Sequence, residues 1–148
     1  MALLKLEQRS FPKEFSIMVA SFDEFEKIIM GKLLSGTDPI LEILRTQYST
    51  AEVKSREFTG TGFYTNFQLD KNLPKVTGKQ NFHFGDLKVD IRGIRSGLGF
   101  VLFIADGYIC YLEGYTYDDP WPEEYDILNI CFEAGDKRDL DKLKNIWA

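Results

Sequence analysis

The 148 residues include one histidine, two cysteines, three methionines and five prolines, and these scarcities close off several functions before any motif is considered. A lone His83 excludes multi-histidine zinc centres, and any serine–histidine–aspartate arrangement would have to use it. Cys110 and Cys131 have neither the close spacing of a redox pair nor the four ligands of a structural zinc site. Both are read as small, reduced, buried core residues. No run approaches about 18 uninterrupted apolar residues, so no membrane partner is expected. The opening stretch, Met1 to Arg9, has too short an apolar run and too early a charge for a secretory signal, which makes a cytoplasmic protein the expectation. Basic residues are also in the minority, 18 Lys and Arg against 23 Asp and Glu, for a net charge of −5. They are scattered rather than striped, so no nucleic-acid partner is expected. The nearest approach to a basic row is Lys88, Arg92 and Arg95; interrupted by Asp90, it reads as a solvated strand edge.

Aromatic residues are abundant, with 12 Phe, 7 Tyr and 2 Trp, while the 44% apolar and 28% charged fractions are those of an ordinary globular chain. A chain of this length buries roughly 70% of its unfolded surface, enough for one core without staples. The pattern predicts a single α+β domain over 1–148. It is helical over 12–50, mainly strands over 52–133, and closes with a helix over 137–147. The sheet is expected to be antiparallel, of about five or six strands, with the helices packed on it.

In the first part, Phe15, Met18, Phe22, Phe25, Ile29 and Leu33 recur at spacings of three and four. Ser21 with Glu24 forms a capping-box signature, which leaves open whether 12–35 is one helix or two. Asp38-Pro39 opens a further helix with Ile40, Leu41, Leu44 and Tyr48 inward. From Glu52 the period changes to two. Val53 to Thr59 and Phe63 to Leu69 read as strands around Gly60-Thr61-Gly62, either a turn or a bulge, and Asp70 to Asn81 as an exposed loop. Leu87 to Arg92 and Ile127 to Phe132 are further strands, and Leu140, Leu143 and Trp147 form the last helical stripe, capped by Asp136 or Asp139.

Gly99 to Ala105 and Tyr108 to Tyr115 flank Asp106-Gly107, a two-residue turn signal. Simple pairing from that turn sets Phe103 opposite Cys110, Val101 opposite Leu112, Phe100 opposite Glu113 and Gly99 opposite Gly114. Both resulting faces are apolar, which predicts a central hairpin covered on both sides.

Glu113 stands out on this hairpin, because a carboxylate among apolar neighbours must be paired, hydrogen-bonded or protonated. It is a weak candidate for a general acid or base, as is His83, which alternates with the core rings Phe82 and Phe84. The opposed glycines leave a bare patch, and the Trp121 indole, stiffened by Pro120 and Pro122, either folds back to cover it or stays outward as an anchor for a partner. The segment Tyr115, Thr116, Tyr117, Asp118, Asp119, Pro120 and Trp121 is an aromatic, acidic loop, continued by Glu123 and Glu124. Its carboxylates do not follow a calcium-loop pattern and two prolines oppose such wrapping, so neither metal nor cofactor is expected.

Arg56-Glu57-Phe58-Thr59-Gly60-Thr61-Gly62-Phe63, Gly85-Asp86-Leu87, Gly99-Phe100-Val101-Leu102-Phe103 and Leu112-Glu113-Gly114-Tyr115-Thr116-Tyr117-Asp118 with Pro120-Trp121-Pro122 resemble a family of small bacterial proteins of unknown function. The likeness spans Arg56 to Pro122, and some members belong to the setting of bacterial toxin and immunity genes. It implies a bacterial protein and assigns no activity. The expectation is therefore a non-enzymatic module that binds a basic protein partner, immunity-like in its sharpest form, through Tyr115, Tyr117, Asp118, Asp119, Trp121, Glu123 and Glu124. The alternatives are a small-molecule binder or weak hydrolase with Glu113 in a pocket at the glycine gap, and a homodimer.

Overall fold

A computed structural model describes residues 16–148, and within them three helices lie on an antiparallel eight-stranded sheet. Helix α1 (Phe22–Leu33) starts where predicted: the Ser21 side chain accepts the Glu24 amide at 3.2 Å. The helix does not reach upstream toward residue 12, however. Ser21 is extended (φ −147°, ψ 162°), which stops helical propagation, and Ile17–Val19 forms strand β1. Met18 thus leaves the expected stripe, and Phe15 lies outside the described residues. Helix α2 (Pro39–Ser49) is capped by Asp38, whose carboxylate accepts the Ile40 amide at 3.0 Å, and it buries Leu41 and Leu44 completely. Helix α3 (Leu140–Trp147) takes Asp139 rather than Asp136 as its cap and seats Trp147 on the Phe82 and Phe84 rings, at 5.7 and 5.4 Å between centroids.

The remaining strands are β2 (Glu52–Phe58), β3 (Gly62–Gln68), β4 (Phe82–Phe84), β5 (Leu87–Ile91), β6 (Leu98–Ala105), β7 (Tyr108–Thr116) and β8 (Tyr125–Phe132). Their order is β1-β8-β5-β6-β7-β3-β2. Strands β4 and β5 share one side of β6, β5 pairing with Leu98 and Gly99 and β4 with Leu102 to Ile104. Between them Gly85 passes so close to the Phe100 carbonyl that a Cβ would lie 1.8 Å from the oxygen, and only glycine fits there. Eight strands replace the expected five or six because β1 and β4, of three residues each, are too short to display a period. The Lys88 row is not an edge either, since β5 lies between β8 and β6. Among the described residues the sheet ends on the short β1 at one edge and on β2 at the other, and β2 carries Lys54 at a bulge; both features discourage pairing of that strand with another chain.

The hairpin turn is as expected, with Asp106 and Gly107 at φ 54° and 83°. The register is not. Ala105 pairs with Tyr108 and Ile104 with Ile109, but Cys110 is then bulged out. Phe103 consequently meets Tyr111, Val101 meets Glu113, Phe100 meets Gly114 and Gly99 meets Tyr115. The interruption coincides with the fully buried Gln47 of α2. Its amide oxygen accepts the Ile109 N–H at 2.9 Å, and its Nε2 donates to the Gly107 and Pro74 carbonyls. That side chain thus ties α2 to the backbone between the turn and the bulge.

The bulge decides which residues face the helices. Phe100, Leu102, Ile104, Ile109 and Leu112 are buried with Phe63, and Phe25 and Phe22 of α1 pack on Phe100 and Phe63 at 6.0 and 4.8 Å. On the other side Val101, Phe103, Tyr111, Glu113 and Tyr115 are only partly buried, and among the described residues no helix packs over them. The hairpin is thus covered on one face, not two. Both cysteines follow this correction: Cys110 at the bulge and Cys131 on β8 are free and only partly buried.

Candidate functional site

The uncovered face can be laid out from the strand register. One row crosses the sheet through His83, Phe103, Tyr111, Asn66 and Ser55, and the next through Val101, Glu113, Tyr64 and Glu57. A third runs through Cys131, Lys88, Gly99 and Tyr115. Side chains opposite one another in such rows stand about 5 Å apart, so they form one continuous surface. Tyr111 stacks on Phe103 at 4.3 Å with a 17° interplanar angle, and Tyr64 meets Tyr111 edge-on at 6.0 Å. His83 is exposed, tilted against Phe103 at 5.1 Å, and has no hydrogen bond to Glu113 among the described residues.

Glu113 is held by a phenol rather than by an arginine. The Tyr64 hydroxyl donates to its Oε2 at 3.1 Å. That bond, reinforced by the carboxylate's negative charge, raises the Tyr64 phenol above its ordinary value. Tyr111 is raised chiefly by desolvation and secondarily by the same charge. Tyr115 is pushed up to about 12 by burial, with a hydrogen bond to Tyr117 contributing. The phenol end of its ring lies over Gly99, where a Cβ would come within 2.4 Å of it, while the Phe63 ring covers Gly114 on the opposite face. The glycines therefore do not oppose one another and leave no gap, and the expected pocket above Glu113 is filled.

Tyr48, on the helix side, is likewise pushed up to about 12, mainly by burial and then by Glu26. Raised phenol values favour the neutral folded form, so this stability is complete below about pH 10, the unfolded value, and is lost as pH rises toward 12. A spectrophotometric titration should show two phenols that stay neutral past the main tyrosine step and ionise together with alkaline unfolding. A single step at the ordinary tyrosine value would contradict the packing of both rings.

The expected binding loop is divided by the fold. Tyr115 and Tyr117 stay with the uncovered face, their rings 5.5 Å apart, and Tyr117 is 60% exposed. Asp118, Glu123 and Glu124 are exposed. Asp119 turns to Arg95, accepting its backbone amide at 2.9 Å and lying 3.7 Å from its guanidinium, while its own carbonyl accepts the Thr116 hydroxyl. Asp126 pairs with Arg92 at 2.7 Å, which holds its carboxyl below the usual range. The sequence-level basic row thus neutralises two of the crowded carboxylates. The Trp121 amide donates to Gly60, and the partly buried indole packs among Phe25, Phe63 and Phe100 with its N–H donated to Tyr125 at 2.9 Å. Trp121 is therefore mainly a core residue on the helix side.

Sequence reasoning missed Glu26, which is 3% exposed on α1. It accepts hydrogen bonds from Thr65 and from Arg56, and Arg56 also pairs with Asp23 at 2.8 Å. A cleft of about 480 Å³ beside it is lined by Tyr48, Phe67 and Arg56. Both Glu26 oxygens are engaged within the chain, so the cluster ties β2 and β3 to α1. Its sequence signal is slight: a Glu next to Phe25 on a stripe continued by Ile29. Among the described residues no group of three or more His, Cys, Asp or Glu is placed to hold a metal ion, and no helix is long and apolar enough to cross a membrane. Compared with known proteins, the chain matches no protein-family model, no curated protein and no solved structure, so its reading rests on the geometry of this face.

Proposed function

We propose that the protein is a non-enzymatic binding module whose partner-facing surface is the uncovered side of β6, β7 and β3, continued by Tyr117 and Asp118. The observation that carries this reading is a row of partly exposed aromatic rings on a sheet face that no described helix covers. Rigid tyrosines supply contact area at low entropic cost and offer hydroxyls for specific hydrogen bonds, and Asn66 and Ser55 extend the polar, adaptable rim. The acidic residues Glu57, Glu113 and Asp118 bias the surface toward a basic protein, with an immunity-like inhibitor as the sharpest form. A catalytic role for Glu113 or His83 is the weaker reading. Glu113 is bonded to a phenol, the glycine gap is filled, and His83 is not joined to it.

Capture from cells that natively make the protein tests this. A Tyr64→Ala/Tyr111→Ala double variant is expected to lose the partner that the unaltered chain retains. Glu42→Ala, an exposed change on α2, should retain it. Equal capture by all three proteins would contradict the assignment of the face.

A further inference from the structure

The uncovered face holds a carboxylate that has no counter-cation among the described residues. Glu26, Asp86, Asp119 and Asp126 each have an arginine, namely Arg56, Arg138, Arg95 and Arg92. Glu113 has none among the described residues, although it lies mid-sheet between Val101 and Tyr64. Among the described residues its one hydrogen bond is that from the Tyr64 hydroxyl to Oε2, and Glu57 stands on the far side of that same tyrosine. The two rows that carry these residues contain two carboxylates and no Lys or Arg. They also contain the rings of Tyr64, Tyr111 and Phe103, whose faces attract cations.

We infer that Glu113, Tyr64 and Tyr111 form a socket for one arginine side chain presented by the protein partner. The guanidinium pairs with Glu113 while its plane lies against the tyrosine rings. Arginine fits better than lysine because a flat, delocalised cation can meet a carboxylate along one edge and an aromatic ring along its face. A protein side chain fits better than a free small cation because the sheet face is open. A docked surface excludes water around the arginine it carries and so strengthens the pairing, while a free arginine derivative makes the same contacts at lower affinity. The inference rests on the binding reading above and specifies the chemistry that the partner brings.

The test is a titration of the whole, isotope-labelled protein with N-acetyl-arginine amide, followed by backbone-amide NMR, with N-acetyl-citrulline amide as the neutral, nearly isosteric control. The arginine probe is expected to cause saturable shifts centred on Tyr64, Tyr111 and Glu113. Citrulline should bind at least tenfold more weakly, and Glu113→Gln should weaken arginine binding by at least tenfold with its amide spectrum otherwise intact. Equal binding of the citrulline probe, or arginine binding unchanged in Glu113→Gln, overturns the inference. Because the citrulline arm uses the unaltered protein, it decides the matter even if the variant is poorly folded. Either failure leaves partner capture by the face untouched, whereas capture unaffected by the tyrosine substitutions overturns the binding reading whatever the titration shows.

Discussion

Replacing Arg138 with alanine is expected to cost about 3–5 kcal/mol of folding stability, lowering the thermal midpoint by roughly 10–15 °C. The side chain is 9% exposed and donates twice to Asp86, at 2.8 Å from both Nε and Nη2. It also donates to the Leu33 and Ser35 carbonyls at 2.7 Å, where α1 ends. Its guanidinium lies 4.8 Å from the Phe132 ring centre. One residue thus joins the end of α1, the β4–β5 connection and the last strand. Truncation leaves the Asp86 carboxylate and two helix-terminal carbonyls without these donors, and the penalty for stranding a partly buried charge exceeds the net worth of the pair. Lysine keeps the charge but loses the planar fork, so Arg138→Lys should fall between the two. Urea or thermal unfolding checks both variants. A loss below about 1 kcal/mol for the alanine variant would place Arg138 among ordinary surface ion pairs.

Tyr111→Ala is expected to weaken partner binding by about 2 kcal/mol, roughly 30-fold, while costing on the order of 1 kcal/mol of stability. The ring lies in the middle of the face, between Phe103 and Asn66, stacked on the first at 4.3 Å. A central aromatic ring with neighbours that exclude water is where binding energy concentrates. The small stability cost follows from its position: the ring is only partly buried and does not enter the helix-facing core. Isothermal titration with the captured partner, beside urea unfolding of both proteins, separates the two effects. Binding reduced only in proportion to the unfolded fraction would make Tyr111 a structural residue.

The six longer strands and the three helices were legible because each shows its period over five or more residues and several carry a cap or turn signal. The three-residue strands β1 and β4 were not, although the alternation of Phe82, His83 and Phe84 marked two core rings correctly. The uncovered face was misread for two physical reasons. Tyrosine, valine and phenylalanine at alternate positions look the same whether a sheet is covered on one side or two. A single bulged residue, Cys110, then exchanges the facing of everything from Tyr111 onward. Beside the bulge sits Gln47, 62 residues from its partner Ile109, and no local pattern encodes so distant a contact. The acidic loop was legible as a composition but not as a surface, because Arg92 and Arg95 approach it only in the folded sheet.

The most direct test of the partner-facing surface is amide hydrogen exchange on the purified complex against the free protein. New protection is expected in peptides covering residues 62–68 and 108–117, with α1 and α2 unchanged. Protection confined to the helices, with the β3 and β7 peptides exchanging as in the free chain, would contradict it.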